Sequence, residues 1–136
     1  MNMKKPLGVN ADGKPYRVLL VDDSMFVRKQ LEQILHSEGF EVVDTAENGQ
    51  EGLDKFCSIT PKVDLVTMDI TMPVMDGLTC LEKIMEKDKT ATVVVISALG
   101  KQDLVKKALV AGAKNYIVKP LDRAKVLDRV VTAIQN

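Results

Sequence analysis

The chain has 136 residues, enough for one domain with a real core and too few for two. Lys and Arg balance Asp and Glu at 19 each, which excludes a global field that would gather nucleic acid or an anionic membrane. No stretch approaches ~20 apolar residues and no secretory apolar run opens the chain, so neither a membrane span nor export is expected and the protein reads as cytoplasmic.

Residues 1–15 carry Lys4-Lys5-Pro6 and Asp12-Gly13 without an apolar run, and are expected to form a flexible or loosely docked leader ahead of a domain over 16–136. From Arg17 onward, apolar strands alternate with helical patterns five times. The first strand, 17–21, runs into Asp22-Asp23. A helix from about Ser24 places Val27, Leu31, Ile34 and Leu35 on one stripe, and Gly39 is the expected terminator. His36, the only histidine, falls late in that helix, where a surface or half-buried place is the default. The second strand is 41–45. Asn48-x-x-Glu51 resembles a capping box opening a short helix that buries Leu53 and Phe56, closed by Thr60-Pro61.

The third strand, 63–68, runs into Asp69 and a loop with Pro73 and Asp76-Gly77. Asp76 is expected to cap a third helix with Leu78, Leu81, Ile84 and Met85 inward. The fourth strand, 92–96, is continuously apolar, as suits a central strand covered on both faces, and ends in Ser97-Ala98-Leu99-Gly100. A fourth helix with Leu104, Ala108 and Ala111 has a broad polar face, making it the least firmly held, and stops at Gly112. The fifth strand, 115–118, leads to Lys119-Pro120. The last helix begins near Asp122, with Ala124, Leu127, Val131 and Ile134 inward. Cys57 and Cys80 stand outside any C-x-x-C spacing and read as reduced thiols. The order (βα)5 with short connections predicts an α/β, doubly wound, flavodoxin-like fold: one parallel sheet in the order 2-1-3-4-5.

Apolar strands that end in carboxylates or a lysine place charge at the carboxyl edge of such a sheet, where ligands bind. Asp22, Asp23 and Asp69 are expected to converge there. Two carboxylates about 4 Å apart repel by roughly 4 kcal/mol at an effective dielectric near 20, so three need a proton or a cation. Mg²⁺ suits a partly hydrated site with few carboxylates and an incoming phosphate. Asp69, flanked by the other acids and by Lys119, is the best placed to become an acyl phosphate. Lys119 would pair with a phosphoryl oxygen, and Ser97 offers a hydroxyl to another. Ala98 keeps the mouth clear, and a cis peptide before Pro120 would aim the lysine inward. Taken alone, Asp22-Asp23 is a helix cap, Ser97 a loop hydroxyl and Tyr116 a strand aromatic. Their joint placement favours a site.

Asp22-Asp23, Asp69 within Met68-Asp69-Ile70-Thr71-Met72-Pro73-Val74-Met75-Asp76-Gly77, Ser97-Ala98, Tyr116 and Lys119-Pro120 together resemble the receiver domain of two-component response regulators, and among these the single-domain chemotaxis receivers. The resemblance implies Asp69 as phosphoacceptor, with Mg²⁺ held by Asp22, Asp23, Asp69 and the main-chain carbonyl of Thr71. It also implies Ser97 and Tyr116 as a switch pair. In such proteins the hydroxyl swings toward the phosphoryl group and the ring moves inward. The implied partners are a chemotaxis-type histidine kinase as donor and the flagellar motor switch as target, reached through the fourth helix, fifth strand and fifth helix. With Asn136 the last residue, output is expected through protein–protein binding, and the only chemistry expected of the chain is its own phosphorylation and dephosphorylation.

The alternative within signalling is a phosphorelay carrier that hands the group to a histidine phosphotransfer protein. A flavin carrier on the same fold is disfavoured by two acids in the first strand–helix turn, where a flavin phosphate wants free N–H groups. A haloacid-type phosphatase is disfavoured because its second catalytic aspartate is here Thr71. Thr71 and Leu99 lie two positions beyond Asp69 and Ser97 and overhang the phosphoryl group. Leu99 cannot hydrogen-bond an attacking water, so slow spontaneous dephosphorylation and a separate phosphatase are expected.

Overall fold

The structure, a computed structural model, describes residues 5–135. Five strands and five helices alternate: β1 (Arg17–Val21), α1 (Met25–His36), β2 (Glu41–Ala46), α2 (Gly49–Ser58), β3 (Leu65–Met68), α3 (Gly77–Lys87), β4 (Val93–Ser97), α4 (Gln102–Ala111), β5 (Asn115–Val118) and α5 (Arg123–Gln135). All strand pairs are parallel and the sheet order is β2-β1-β3-β4-β5, as expected.

The sheet separates two cores. On one face Leu19, Val21, Val66, Met68, Val93 and Val95 meet Phe56 of α2 and Cys80, Leu81 and Ile84 of α3. On the other, Val18, Leu20, Leu65, Val94, Ile96 and Ile117 meet Leu31 and Leu35 of α1 and Val126, Leu127 and Val130 of α5. Covering on both faces is why β1, β3 and β4 read as nearly continuous apolar runs, with Thr67 the buried polar exception in β3. It also fixes register, since a slip of one residue would exchange the two faces.

Caps set the helix starts. Ser24 Oγ accepts from Val27 N at 3.2 Å, Asn48 Oδ1 from Glu51 N at 2.9 Å and Asp76 Oδ1 from Thr79 N at 2.9 Å. The reciprocal half of the capping box is absent: the Glu51 carboxylate pairs with Lys55 Nζ at 3.1 Å. Gly39 and Gly112 take positive φ, 86° and 121°, at the ends of α1 and α4. Only Ala108 of α4 is buried, in keeping with its broad polar face. On α5 the buried stripe is rotated from expectation. Val126, Leu127, Val130 and Ala133 are buried, Val131 and Ile134 are half-buried, and Ala124 is exposed. Ala124 sits in the first turn beside Arg123, where the chain has only just rejoined the sheet.

Residues 5–15, expected to be loose, form a hydrogen-bonded hook; residues 1–4 lie outside the described residues. Val9 bridges Pro15, and Asn10 Oδ1 accepts from Asp12 N and Lys14 N. The hook docks on the α1–β2 junction through Gly8 N to Glu38 O (2.7 Å) and Leu7 N to Glu38 Oε1 (3.0 Å), and closes on the entry to β1 through Tyr16 N to Gly8 O (2.8 Å). Gly8 is buried so closely that a Cβ there would lie 2.4 Å from Phe40 N. Glu38 Oε2 also meets Arg123 of α5 at 3.2 Å. The leader is therefore part of the fold from about Pro6 onward.

Candidate phosphoryl-transfer site

Three strand ends supply the site. Val21, Met68 and Val118 are the last residues of β1, β3 and β5, so Asp22, Asp69 and Lys119 each leave the sheet at its carboxyl edge. Each of Asp22, Asp23 and Asp69 offers an oxygen within 4.8 Å of the others. Asp22 and Asp69 are buried, at 2% and 6% exposure, while Asp23 is open to solvent.

Backbone donors orient the two buried acids. Asp22 Oδ1 accepts from Ser24 N and Asp69 Oδ1 from Ile70 N, both at 2.8 Å. Their other oxygens face one ammonium: Lys119 Nζ lies 3.0 Å from Asp22 Oδ2 and 3.4 Å from Asp69 Oδ2. Burial pushes the Asp69 carboxyl up, the Asp22 charge adds to that, and the Lys119 charge and the Ile70 N–H pull back without cancelling it. Burial alone would depress the Lys119 ammonium, but the hydrogen bond and charge of Asp22, then the charge of Asp69, hold it above its ordinary value. One lysine, paired with Asp22 and Asp69, thus stands beside a cluster of three acids, leaving an excess of negative charge at the recess.

The donor set fits a hard divalent cation. All the side-chain ligands are carboxylates, one of them solvent-exposed, which leaves room for water in an octahedral shell. Thr71 sits exposed in the loop after Asp69. Gly77 makes that loop's tight return possible. Its N–H reaches Ile70 O at 2.8 Å, and a Cβ would lie 1.9 Å from Asp69 O. The Asp76-Gly77 pair was visible in the sequence as a cap; its close approach to Asp69 was not.

Ser97 and Tyr116 are brought together through Leu99. Ser97 Oγ accepts from Leu99 N at 3.1 Å, and the Tyr116 hydroxyl donates to Leu99 O. Both are buried, at 1% and 4% exposure, so the ring is in its inward position. Burial raises the Tyr116 phenol, a Ser97 hydrogen bond lowers it, and the Asp69 charge raises it again. Ala98 and Leu99 are exposed at the β4 end, and the Lys119-Pro120 peptide is cis with Pro120 exposed. Arg28 is a neighbour the sequence did not announce: its Nη1 donates to Asp22 O at 2.6 Å, and its Nη2 lies 3.6 Å from Glu47. Its only sequence signal is an arginine one turn into the helix that follows the acid pair.

A hollow of about 650 Å³ between α3 and α4, lined by Leu78, Glu82, Lys106 and Val110 among others, contains none of these acids. Chemistry rather than size marks the site.

Known proteins are similar to this chain along most of its length. A CheY from Treponema pallidum is 64% identical over 135 residues, spanning 99% of this chain and 94% of that protein. A CheY from Bacillus subtilis is 47% identical over 115 residues, spanning 85% and 94%. Among solved structures, a chain of the CheX-CheY-BeF3-Mg+2 complex from Borrelia burgdorferi superposes with a TM-score of 0.93 at 59% identity, covering 95% of this chain and 97% of that one. Residues 18–131 match the response regulator receiver domain. With that match spanning most of its length, the chain belongs to the response regulator receiver family and is of the CheY-like chemotaxis kind.

Proposed function

We propose that the chain is a phosphorylation-switched response regulator: Asp69 accepts a phosphoryl group from a histidine kinase, with Mg²⁺ held by Asp22, Asp23, Asp69 and the Thr71 carbonyl. The observation that carries this reading is the convergence of three carboxylates and the Lys119 ammonium at one sheet edge. An Asp69 carboxyl oxygen attacks phosphorus, the P–O bond forms as the P–N bond to the donor imidazole breaks, and the imidazole keeps the electron pair. Lys119 is already within reach of Asp69 and transfers its ion pair to a phosphoryl oxygen as charge arrives. When bound, Mg²⁺ neutralises oxygen charge that the three acids would otherwise repel. The related Borrelia burgdorferi chain, solved in a complex with Mg²⁺ and BeF3, a group with the shape and charge of a phosphoryl, supports a Mg²⁺-assisted phosphoryl site in this chain.

Ser97 and Tyr116 form the switch: Ser97 exchanges its Leu99 partner for a phosphoryl oxygen while the inward ring holds the β4–α4 loop. The chain acts on no substrate beyond its own aspartyl phosphate. Its output, read from a cytoplasmic protein, is binding to the flagellar motor switch through α4, β5 and α5, where Leu109 and Val118 stand about half exposed. The CheX in the related complex supports a further protein partner for this chain.

Incubation with Mg²⁺ and acetyl phosphate, followed by mass spectrometry, tests the central step. Wild type gains one PO₃ and Asp69→Asn does not; equal labelling of both ends the proposal. Leu99 bears no polar group to orient water at the phosphoryl, so the acyl phosphate is long-lived and a separate phosphatase is required. Leu99→Glu shortens its lifetime several-fold, measured by loss of the added mass, and an unchanged or longer lifetime refutes the idea.

A further inference from the structure

The loop after Asp69 contains a conformation its residue type resists. Val74 has φ of 68°, the only non-glycine residue with positive φ among the described residues. Met75 N donates to Pro73 O at 2.7 Å, so Val74 centres a three-residue turn with the φ of the rare, strained γ form. A β-branched side chain in that region is an outlier, because its Cγ atoms crowd the neighbouring carbonyl. Nothing in the core compensates, since Val74 is 83% exposed.

What holds the turn is the start of α2. Gly49 N, the first amide of that helix, donates to Met75 O at 2.9 Å. The Asn48 cap serves Glu51 N, and the loop carbonyl satisfies a second amide of the helix's first turn, that of Gly49. The approach needs glycine: a Cβ on Gly49 would lie 2.4 Å from Met75 O. A second bond, Gly77 N to Ile70 O, closes the loop at its base. The loop is thus pulled two ways. The α2 amide favours the closed turn, while the Val74 backbone favours relaxing to an extended conformation and opening it.

Resting on the Mg²⁺ reading above, we infer that α2 is a positioning element for the metal loop: Gly49 clamps the loop closed through Met75 O, and strained Val74 is set to release it. Thr71 lies inside the clamped loop, between Ile70 and Pro73, so closing the turn restricts where its carbonyl can stand. Cation binding then draws on the closed population, and each residue alters affinity without touching the ion.

The test is a cycle of Val74→Asn, Gly49→Ala and the double variant, with Mg²⁺ affinity read by titration calorimetry and the Gly49 amide by hydrogen exchange. Asn accepts positive φ far more readily than Val and keeps a Cβ. Val74→Asn should tighten Mg²⁺ about threefold to tenfold and slow Gly49 exchange in the metal-free protein by a similar factor. Gly49→Ala should weaken Mg²⁺ at least about fivefold, and in its background Val74→Asn should still tighten binding by at least the wild-type factor, because both act on one closed–open equilibrium. An unchanged Mg²⁺ affinity in Gly49→Ala, or an unchanged Gly49 exchange rate in Val74→Asn, overturns the clamp. Absence of Mg²⁺ binding in wild type would instead strike the metal reading, and the metal-free exchange rates would still decide whether the clamp exists.

Discussion

Asp69 is the residue on which burial, charge and chemistry meet. Its carboxyl is nearly closed off from solvent and faces Asp22, with Lys119 and the Ile70 N–H in partial compensation. Its folded-state pKa is raised, so the folded protein holds a proton there more tightly than the unfolded chain does. Stability is therefore unburdened below the ordinary carboxylate range and falls as pH rises through the raised value. Asp69→Asn removes that burden and should stabilise the metal-free protein by about 1 kcal/mol at pH 7, with little gain at pH 4. Urea midpoints at the two pH values check this. Added Mg²⁺ should then stabilise wild type more than the variant, since only wild type retains all three acids. The acids and the lysine were legible in the sequence because each ends an apolar strand of a parallel sheet. Arg28 was not, because its bond to the Asp22 carbonyl depends on the angle at which α1 leaves the sheet.

At the scale of elements, periodicity located every strand and helix, and local chemistry located the caps at Asn48 and Asp76, while the Ser24 cap emerged only in the structure. The failures lie where tertiary contact overrides local pattern. The inward face of α5 is turned, since Val126 and Val130 take the places in the core that the expected stripe assigned to Ala124 and Val131. The hook has no periodicity at all. It is held by a glycine packed against a backbone amide and by carboxylate and carbonyl oxygens of Glu38, none of which marks a sequence as structured. Gly8→Ala puts a Cβ into Phe40 and should cost about 1–3 kcal/mol, typical of overpacking. Thermal unfolding of the variant measures it, and an unchanged midpoint would mean the hook contributes nothing to the fold.

For the whole molecule, the sheet divides labour. Its carboxyl edge carries the charged recess, its two faces carry separate cores, and α4 and β5 carry exposed apolar side chains at Leu109, Val110 and Val118. The site and the proposed output surface share β5, whose Tyr116 is buried while its neighbour two positions on, Val118, faces outward. Val118→Glu should therefore leave PO₃ incorporation intact and weaken binding to the motor target at least about tenfold, as measured by surface binding assays with BeF3-loaded protein. Loss of both functions together would place Val118 in the recess instead. The chain contains no tryptophan and two tyrosines, Tyr16 and Tyr116. Tyr16 stacks obliquely near Phe40 beside the hook, and Tyr116 donates its phenol to Leu99 O above the fourth strand. Tyrosine emission from this protein therefore comes from two lamps, one beside the hook and one at the proposed switch. Replacing Tyr16 by Phe leaves a single native fluorophore whose quantum yield follows the state of the signalling edge without any dye.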